Sequence, residues 1–236
     1  MNEPTFSALY GEILKKEGLE DYLPFASEFE ELTKRLLAFN AHTNITAITD
    51  PVGIIGRHYA DCLKIAPLIK EGASLLDVGC GGGFPTLPLA IARKDLSITS
   101  LDSTAKKLTF VKDTATGMGL KVTTLAGRAE ELSKGAPFRE SFDAVSARAV
   151  ASLPVLCEWC LPFLKVGGCF YAMKGSAGLE ELKSAENAVK TLGGQVAEVR
   201  EDYIEGVVRY NILIKKVKSS PAAYPRNGGA IKKKPL

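Results

Sequence analysis

Histidine, tryptophan and pairable cysteine are scarce in this 236-residue chain, and each shortage narrows its chemistry. Two histidines and no evident acid–base dyad leave little for proton-transfer catalysis. Five cysteines, an odd number, do not make a disulfide framework. Cys157 and Cys160 form a CxxC, but inside an apolar helical run (Val155, Leu156, Trp159, Leu161) and with no second Cys or His pair. They are expected to pack in a core, and no metal site is expected. No apolar run approaches the length of a membrane span, and Met1-Asn2-Glu3-Pro4 has no leader character, so a cytoplasmic protein without a membrane partner is expected. There are no internal repeats.

What is present, 46% hydrophobic and 24% charged residues, suits one α/β domain with an extension. The net charge of +3 conceals an asymmetry. From Gly206 onward there are eight Lys or Arg and no acid, whereas the first 205 residues carry 22 basic and 27 acidic groups. A mildly acidic body with a basic tail suits a polyanionic partner met at one end, or simply a solvated tail.

The informative stretch is Leu75-Leu76-Asp77-Val78-Gly79-Cys80-Gly81-Gly82-Gly83-Phe84-Pro85. An apolar strand ends in an aspartate, a loop stripped of side chains follows, and a helix is expected over Phe84–Ala92 with Pro85 at its first position. Such a loop lets backbone N–H groups lie against a ligand. The dinucleotide spacing G-x-G-x-x-G fails whether counted from Gly79 or Gly81, because Phe84 or Thr86 falls on the last glycine. A second strand, Ser97–Asp102, ends in an acid placed to accept from a ribose hydroxyl.

Around this unit, strands are expected at Ser74–Val78, Lys121–Ala126, Phe142–Ala147 and Gly168–Lys174. Helices are expected at Thr104–Met118, Ala129–Ser133, Ala151–Leu164 and Gly178–Leu192. Val196–Tyr203 and Val207–Lys216 have no helix between them and read as an antiparallel edge pair. Before the first strand, Thr5–Lys16 and Phe25–Asn40 are helical by period, and Asp50-Pro51 caps a helix running to Lys70. The expectation is α/β, a doubly wound, Rossmann-like parallel sheet with a terminal antiparallel hairpin. A helical segment (1–70) precedes a core (71–218), and an irregular basic tail (219–236) follows.

Several runs resemble the RsmG (GidB) family of bacterial 16S rRNA guanine-N7 methyltransferases. Asn40 to Ile48 resembles its N-x-x-x-N-L-T-A-I segment, and Arg57-His58-Tyr59-Ala60-Asp61-Cys62-Leu63 its R-H-x-x-D-S-L. Asp77–Pro85, Asp102-Ser103, Gly127-Arg128-Ala129-Glu130, Ser146-Ala147-Arg148, Lys174-Gly175 and the Tyr224-Pro225-Arg226 tail match further motifs. Phe39, Cys62 and Thr86 stand where the family usually has Trp, Ser and Gly, and Thr86 is expected to crowd the loop slightly.

The resemblance implies the methyltransferase variant of this fold and S-adenosylmethionine (SAM) as cofactor. It places Asp77, Gly79, Gly81, Gly83 and Phe84 along the cofactor, Asp102, Ser103 and Thr104 at its ribose, and Ala129 and Glu130 at its adenine. Arg148 would bind the methionine carboxylate or guanine O6, Lys174 a phosphate, and His58 would stand with Arg57 and Asn44 on an N-terminal wall; Arg148, Lys174 and His58 form the expected catalytic set. Guanine N7 carries a free lone pair, so attack needs no general base. The implied partner is 16S rRNA or the small ribosomal subunit, met by a monomer, with the tail binding RNA phosphates and not the cofactor. The glycine loop alone also admits a methyltransferase for a small molecule or protein, or a non-catalytic rRNA-binding assembly factor.

Overall fold

A computed structural model describes residues 4–236. Seven strands form one sheet in the order β3-β2-β1-β4-β5-β7-β6. They span Ser74–Val78 (β1), Ser97–Asp102 (β2), Val122–Ala126 (β3), Phe142–Arg148 (β4), Leu164–Lys174 (β5), Gly194–Ile204 (β6) and Val207–Lys216 (β7). The first five are parallel; β7 runs antiparallel to β5 and to β6, as the missing helix between the last two strands requires.

Strand alternation divides the interior into two cores. Leu75, Ala144, Tyr171 and Met173 face one side, and Leu76, Val145, Phe170 and Ala172 the other. The N-terminal helices Phe6–Lys16 and Ala26–Asn40 cover the first face. Their stripe residues Tyr10, Leu14, Phe29, Leu32 and Leu36 are fully buried in the same core as Leu75. Helices Leu153–Cys160 and Gly178–Thr191 cover the second face, with Cys157 and Cys160 buried there as free thiols. No described helix is long and apolar enough to cross a membrane.

Three local expectations are corrected. The helix after the glycine loop begins at Thr86, not Phe84. Pro85, joined to Phe84 by a cis peptide, stands before it, and Pro88 falls in the first turn, where amides lack intrahelical partners anyway. The run from Asp50 is not one helix to Lys70. It is a Pro51–Gly53 turn, a π-helical stretch Ile54–Ala60 and Asp61–Leu63, followed by a separate 3-10 turn Ala66–Leu68. The tail is not irregular throughout: Gly228–Lys233 is a helix capped by the Asn227 side chain, with Ile231 fully buried beneath it.

Because β1 leads away toward β2 while β4 lies on its other side, a crevice opens at the carboxyl ends of β1 and β4, where open α/β sheets hold ligands.

Candidate functional site

A cleft of 430 Å³ occupies that crevice. Its floor is the glycine loop. Gly79 and Cys80 donate their N–H groups to the Leu101 carbonyl (2.7 and 3.1 Å), tying the loop to the end of β2. Gly79 (φ 72°) and Gly81 (φ 56°) lie in the left-handed region. A Cβ at Gly79 would strike the Val150 side chain at 2.8 Å, whereas one at Gly81 would meet nothing nearer than 3.9 Å. The loop is therefore packed on Val150 at Gly79 and open at Gly81.

Asp102 completes it. One carboxylate oxygen accepts from Gly81 N–H (3.1 Å) and the other from Thr104 N–H (2.8 Å). Ser103 and Thr104 are exposed on the rim, and Lys107 lines the same side.

Asp77 is not at the cleft surface. It is fully buried, accepting from Thr86 Oγ1 (2.7 Å) and Ser146 Oγ (3.1 Å), and burial pushes its carboxyl up to about 6 against those two bonds and the nearby Arg148 charge. Thr86 does not crowd the loop either. Its hydroxyl points inward, between Asp77 and Ser100 Oγ (2.6 Å). Gly83 likewise lies off the cleft, under Leu87. These residues brace the loop from below.

One wall comes from the N-terminal segment. Asn40, at the end of its helix, accepts from Ile45 and Thr46 N–H (2.8 and 3.1 Å) and donates to Thr46 O (3.0 Å). This places Ile45 and Thr46 on the cleft, while Asn44 and Arg57 do not line it; Arg57 pairs with Asp50 and Glu205 instead. The π-helical stretch turns His58 inward, stacked on Phe84 (4.3 Å, 12°). Arg148 crosses from β4, 5.4 Å over the same ring, and donates to Asp61 Oδ2 (2.9 Å), Arg57 O (3.0 Å) and His58 Nδ1 (2.9 Å). An arginine only donates, so His58 Nδ1 accepts and the ring proton sits on Nε2. Burial first, then the Arg148 and Arg57 charges, push His58 down to about 3. His58 is thus neutral, with both nitrogens engaged, so within the expected catalytic set its place is that of a positioning group.

Lys174 is also relocated. Its ammonium pairs with Glu181 (2.7 Å) and donates to Ala151 O (2.8 Å), 8% exposed and off the cleft. It ties the end of β5 to the helix Gly178–Thr191.

The opposite end holds Ala129 and Glu130, as expected, and two residues the sequence reading missed, Trp159 and Lys232. Glu130 is 5% exposed, with Arg128 at 3.9 Å and Gly228 of the tail helix packed against its carboxylate. The buried Trp159 indole N–H has no partner among the described residues. Lys232 Nζ lies 6.0 Å from the indole centroid. Lys232 reaches the cleft because the tail folds back. Arg226 forks onto the fully buried Glu158 (2.6 and 2.9 Å), Arg139 caps the carbonyls of Ser220, Pro221 and Tyr224, and fully buried Lys216 donates to Ser220 Oγ (2.7 Å). Trp159 as the sole tryptophan was a signal in the sequence, masked by its apolar helical context.

The residues fit a nucleoside-bearing sulfonium cofactor. The volume is in the small-ligand range. The floor is bare backbone, the Asp102 carboxylate stands beside the exposed Ser103 and Thr104, and the Glu130 carboxylate and the Trp159 ring share the same lining.

The sequence model of the family described as rRNA small subunit methyltransferase G matches residues 26–205. The chain is 43% identical over 215 residues to ribosomal RNA small subunit methyltransferase G of Clostridium novyi (strain NT), covering 89% of this chain and 88% of that one. It is 41% identical over 237 residues to the protein of the same name from Lactobacillus delbrueckii subsp. bulgaricus, covering 97% and 98%. Among solved structures, the Bacillus cereus O-methyltransferase in complex with SAH aligns with TM-score 0.56 at 15% identity, covering 78% of this chain and 90% of that one. M. jannaschii TYW2 in complex with AdoMet aligns with TM-score 0.52 at 16% identity, covering 66% and 74%. These two carry the fold alone: a sheet of the SAM-methyltransferase kind.

Proposed function

The chain belongs to the family of the ribosomal RNA small subunit methyltransferase G, and we propose on that footing that its cleft carries a methyl group from SAM to N7 of one guanine in 16S rRNA. The observation that supports this reading best is the cleft itself. A bare glycine floor, Asp102 and Glu130 line one cleft together with Arg148, Thr46 and the His58 ring stacked on Phe84.

Bound SAM supplies an electrophilic sulfonium methyl. The chain's own work is placement. The Gly79–Gly82 backbone lies along the cofactor; Asp102, with Ser103 and Thr104, receives the ribose hydroxyls. Ala129 N–H, free at a helix start, pairs with an adenine ring nitrogen while Glu130 accepts from the exocyclic amine. Trp159 and Lys232 close that end. At the other end Arg148, held by Asp61, sets the edge of the space for the base. Two of its N–H groups remain uncommitted, enough to reach either a cofactor carboxylate or guanine O6. Guanine N7 attacks with its own lone pair, so neutral His58 is no obstacle. Rate comes from alignment and exclusion of water.

The partner is small-subunit rRNA. We take the enzyme to act as a cytoplasmic monomer, with exposed Lys232, Lys233 and Lys234 beside the cleft mouth contacting phosphates. The tail then serves cofactor and RNA together. The expected division of labour, in which removing it spares SAM binding, gives way to this packing.

The test is incubation of the full chain with methyl-labelled SAM and naked rRNA, isolated small subunits or a total protein and metabolite extract. Label entering rRNA from either RNA source supports the reading. Label entering only protein or small molecules supports the small-molecule or protein alternative, and no label in any arm supports the non-catalytic one.

A further inference from the structure

The Thr46 hydroxyl sits between two polar neighbours whose roles fix its own. Its Oγ1 lies 2.9 Å from His58 Nε2 and 3.1 Å from Ile48 N. His58 Nδ1 faces Arg148 Nη2 at 2.9 Å, and a guanidinium has no lone pair to offer, so Nδ1 accepts and Nε2 bears the hydrogen. Thr46 Oγ1 therefore accepts twice, from the imidazole and from the Ile48 amide. Both of its lone pairs are used, and its own hydrogen has no acceptor among the described residues. Because Thr46 lines the cleft, that hydrogen is available to a ligand.

The position is fixed as well as the polarity. Asn40 clamps the Thr46 backbone on both sides, accepting its N–H and donating to its carbonyl. His58 in turn is stacked on Phe84 and held by Arg148, which Asp61 anchors. An ordinary threonine rotates to suit donor or acceptor; this one cannot become an acceptor without breaking a bond already made.

We propose that the Thr46 hydroxyl is a fixed donor that reads O6 of the guanine to be methylated, next to the reacting N7, and so selects guanine against adenine. The proposal rests on the guanine-N7 reading. The edge of guanine that carries N7 also presents O6, an acceptor; the same edge of adenine presents an amino group, a donor. A donor that cannot reverse its role accepts the first and opposes the second. A neutral hydroxyl left facing the amino group would be one unpaired donor against another, a mismatch that costs more than a missing bond. Thr46 lies on the N-terminal wall, bonded to the His58 ring that stacks on Phe84; with the nucleoside half of SAM assigned to Asp102 and Glu130, this wall is left to an incoming base.

The test uses full-length wild type, Thr46→Val and Thr46→Ser. The substrates are small-subunit RNA with the target guanine intact or replaced by 2-aminopurine, which keeps N7 and lacks O6. kcat/KM is measured on both RNAs, and SAM affinity is followed by the emission of Trp159, the chain's single tryptophan. Wild type is expected to prefer guanine by roughly 5- to 150-fold, the range for a buried donor left unpaired. Thr46→Val is expected to lose that preference while keeping its SAM affinity, and Thr46→Ser to restore it. If Thr46→Val slows both RNAs equally and keeps the preference, the hydroxyl is only structural and the proposal fails. If its SAM affinity falls in step with its rate, the hydroxyl faces the cofactor and the proposal fails. A wild type that forms no N7-methylguanine on the intact RNA overturns the underlying reading, and this proposal with it.

Discussion

Replacing Arg226 with alanine isolates the contact that fastens the tail to the cofactor end of the cleft. Arg226 presents its backbone N–H, Nε and Nη2 to Glu158, at 2.7, 2.9 and 2.6 Å, and Glu158 has no exposed surface at all. Breaking a buried ion pair from one side costs about 3–5 kcal/mol, because the remaining charge loses its partner in a medium that solvates it poorly. Here the chain has an escape: if the tail lifts away, Glu158 meets water. The cost should therefore appear as local release of the helix Gly228–Lys233 and not as global unfolding. At about 1.4 kcal/mol per tenfold, the docked-to-released ratio should fall by about two to three and a half powers of ten. Hydrogen exchange reads that ratio directly in the amides from Ile231 to Lys234, where protection should drop by a like factor while β1 and β4 amides keep theirs. With Lys232 and the cover over Trp159 gone, SAM affinity should fall too. Unchanged protection in Ile231–Lys234, or full SAM affinity with the tail released, would refute the idea that this pair holds a wall of the cofactor site.

Other perturbations separate bracing from chemistry. Thr86→Val removes a donor from buried Asp77 and should cost about 1–3 kcal/mol in urea unfolding; unchanged stability would mean the loop is braced elsewhere. Lys174→Met, which takes the ammonium from the Ala151 carbonyl and leaves Glu181 only the Leu153 N–H, should cost a similar 1–3 kcal/mol without altering SAM or RNA affinity; a selective loss of RNA affinity would return Lys174 to a phosphate. For His58, near 3 in the folded protein against an ordinary 6.5, the unfolded chain takes up a proton that the folded one refuses. Stability is lost as pH falls from 6.5 toward 3, at up to about 1.4 kcal/mol per pH unit. Asp77, raised from 3.8 to about 6, works in the opposite sense: its unfavourable contribution grows as pH rises from 3.8 through 6. The stability difference between wild type and His58→Gln should therefore shift by about 1.4 kcal/mol per unit between pH 6 and 4, and parallel curves would contradict the neutral, buried histidine.

The glycine loop, Asp102 and Ala129-Glu130 were legible because each is a short run whose conformation its own residues dictate: positive-φ glycines, an acid at a strand end, a helix start. Asp77 and Lys174 were not. Both lie at strand ends, and contacts remote in sequence hold them off the cleft: Ser146, 69 residues on, for Asp77, and the Ala151 carbonyl, 23 residues back, for Lys174. The helix Gly228–Lys233 opens with two glycines and has weak intrinsic propensity; Ile231 and the Arg226–Glu158 pair make it, and neither contact is visible in a linear reading. Asn40 was expected only as the last residue of a helix and the first of a motif, yet its side chain builds the wall that carries Thr46. The hairpin edge and the sheet's parallel core followed from period and from the missing last helix, as the strand order bears out.

The central claim is methylation at N7 of a single guanine. It is tested most directly by treating unmodified small-subunit rRNA with the full chain and SAM, then cleaving the RNA by borohydride reduction and aniline, which breaks it at N7-methylguanosine. One new cleavage at one guanine, absent without SAM, is expected. Methyl transfer into the RNA with no such cleavage, or cleavage spread over many guanines, would contradict it.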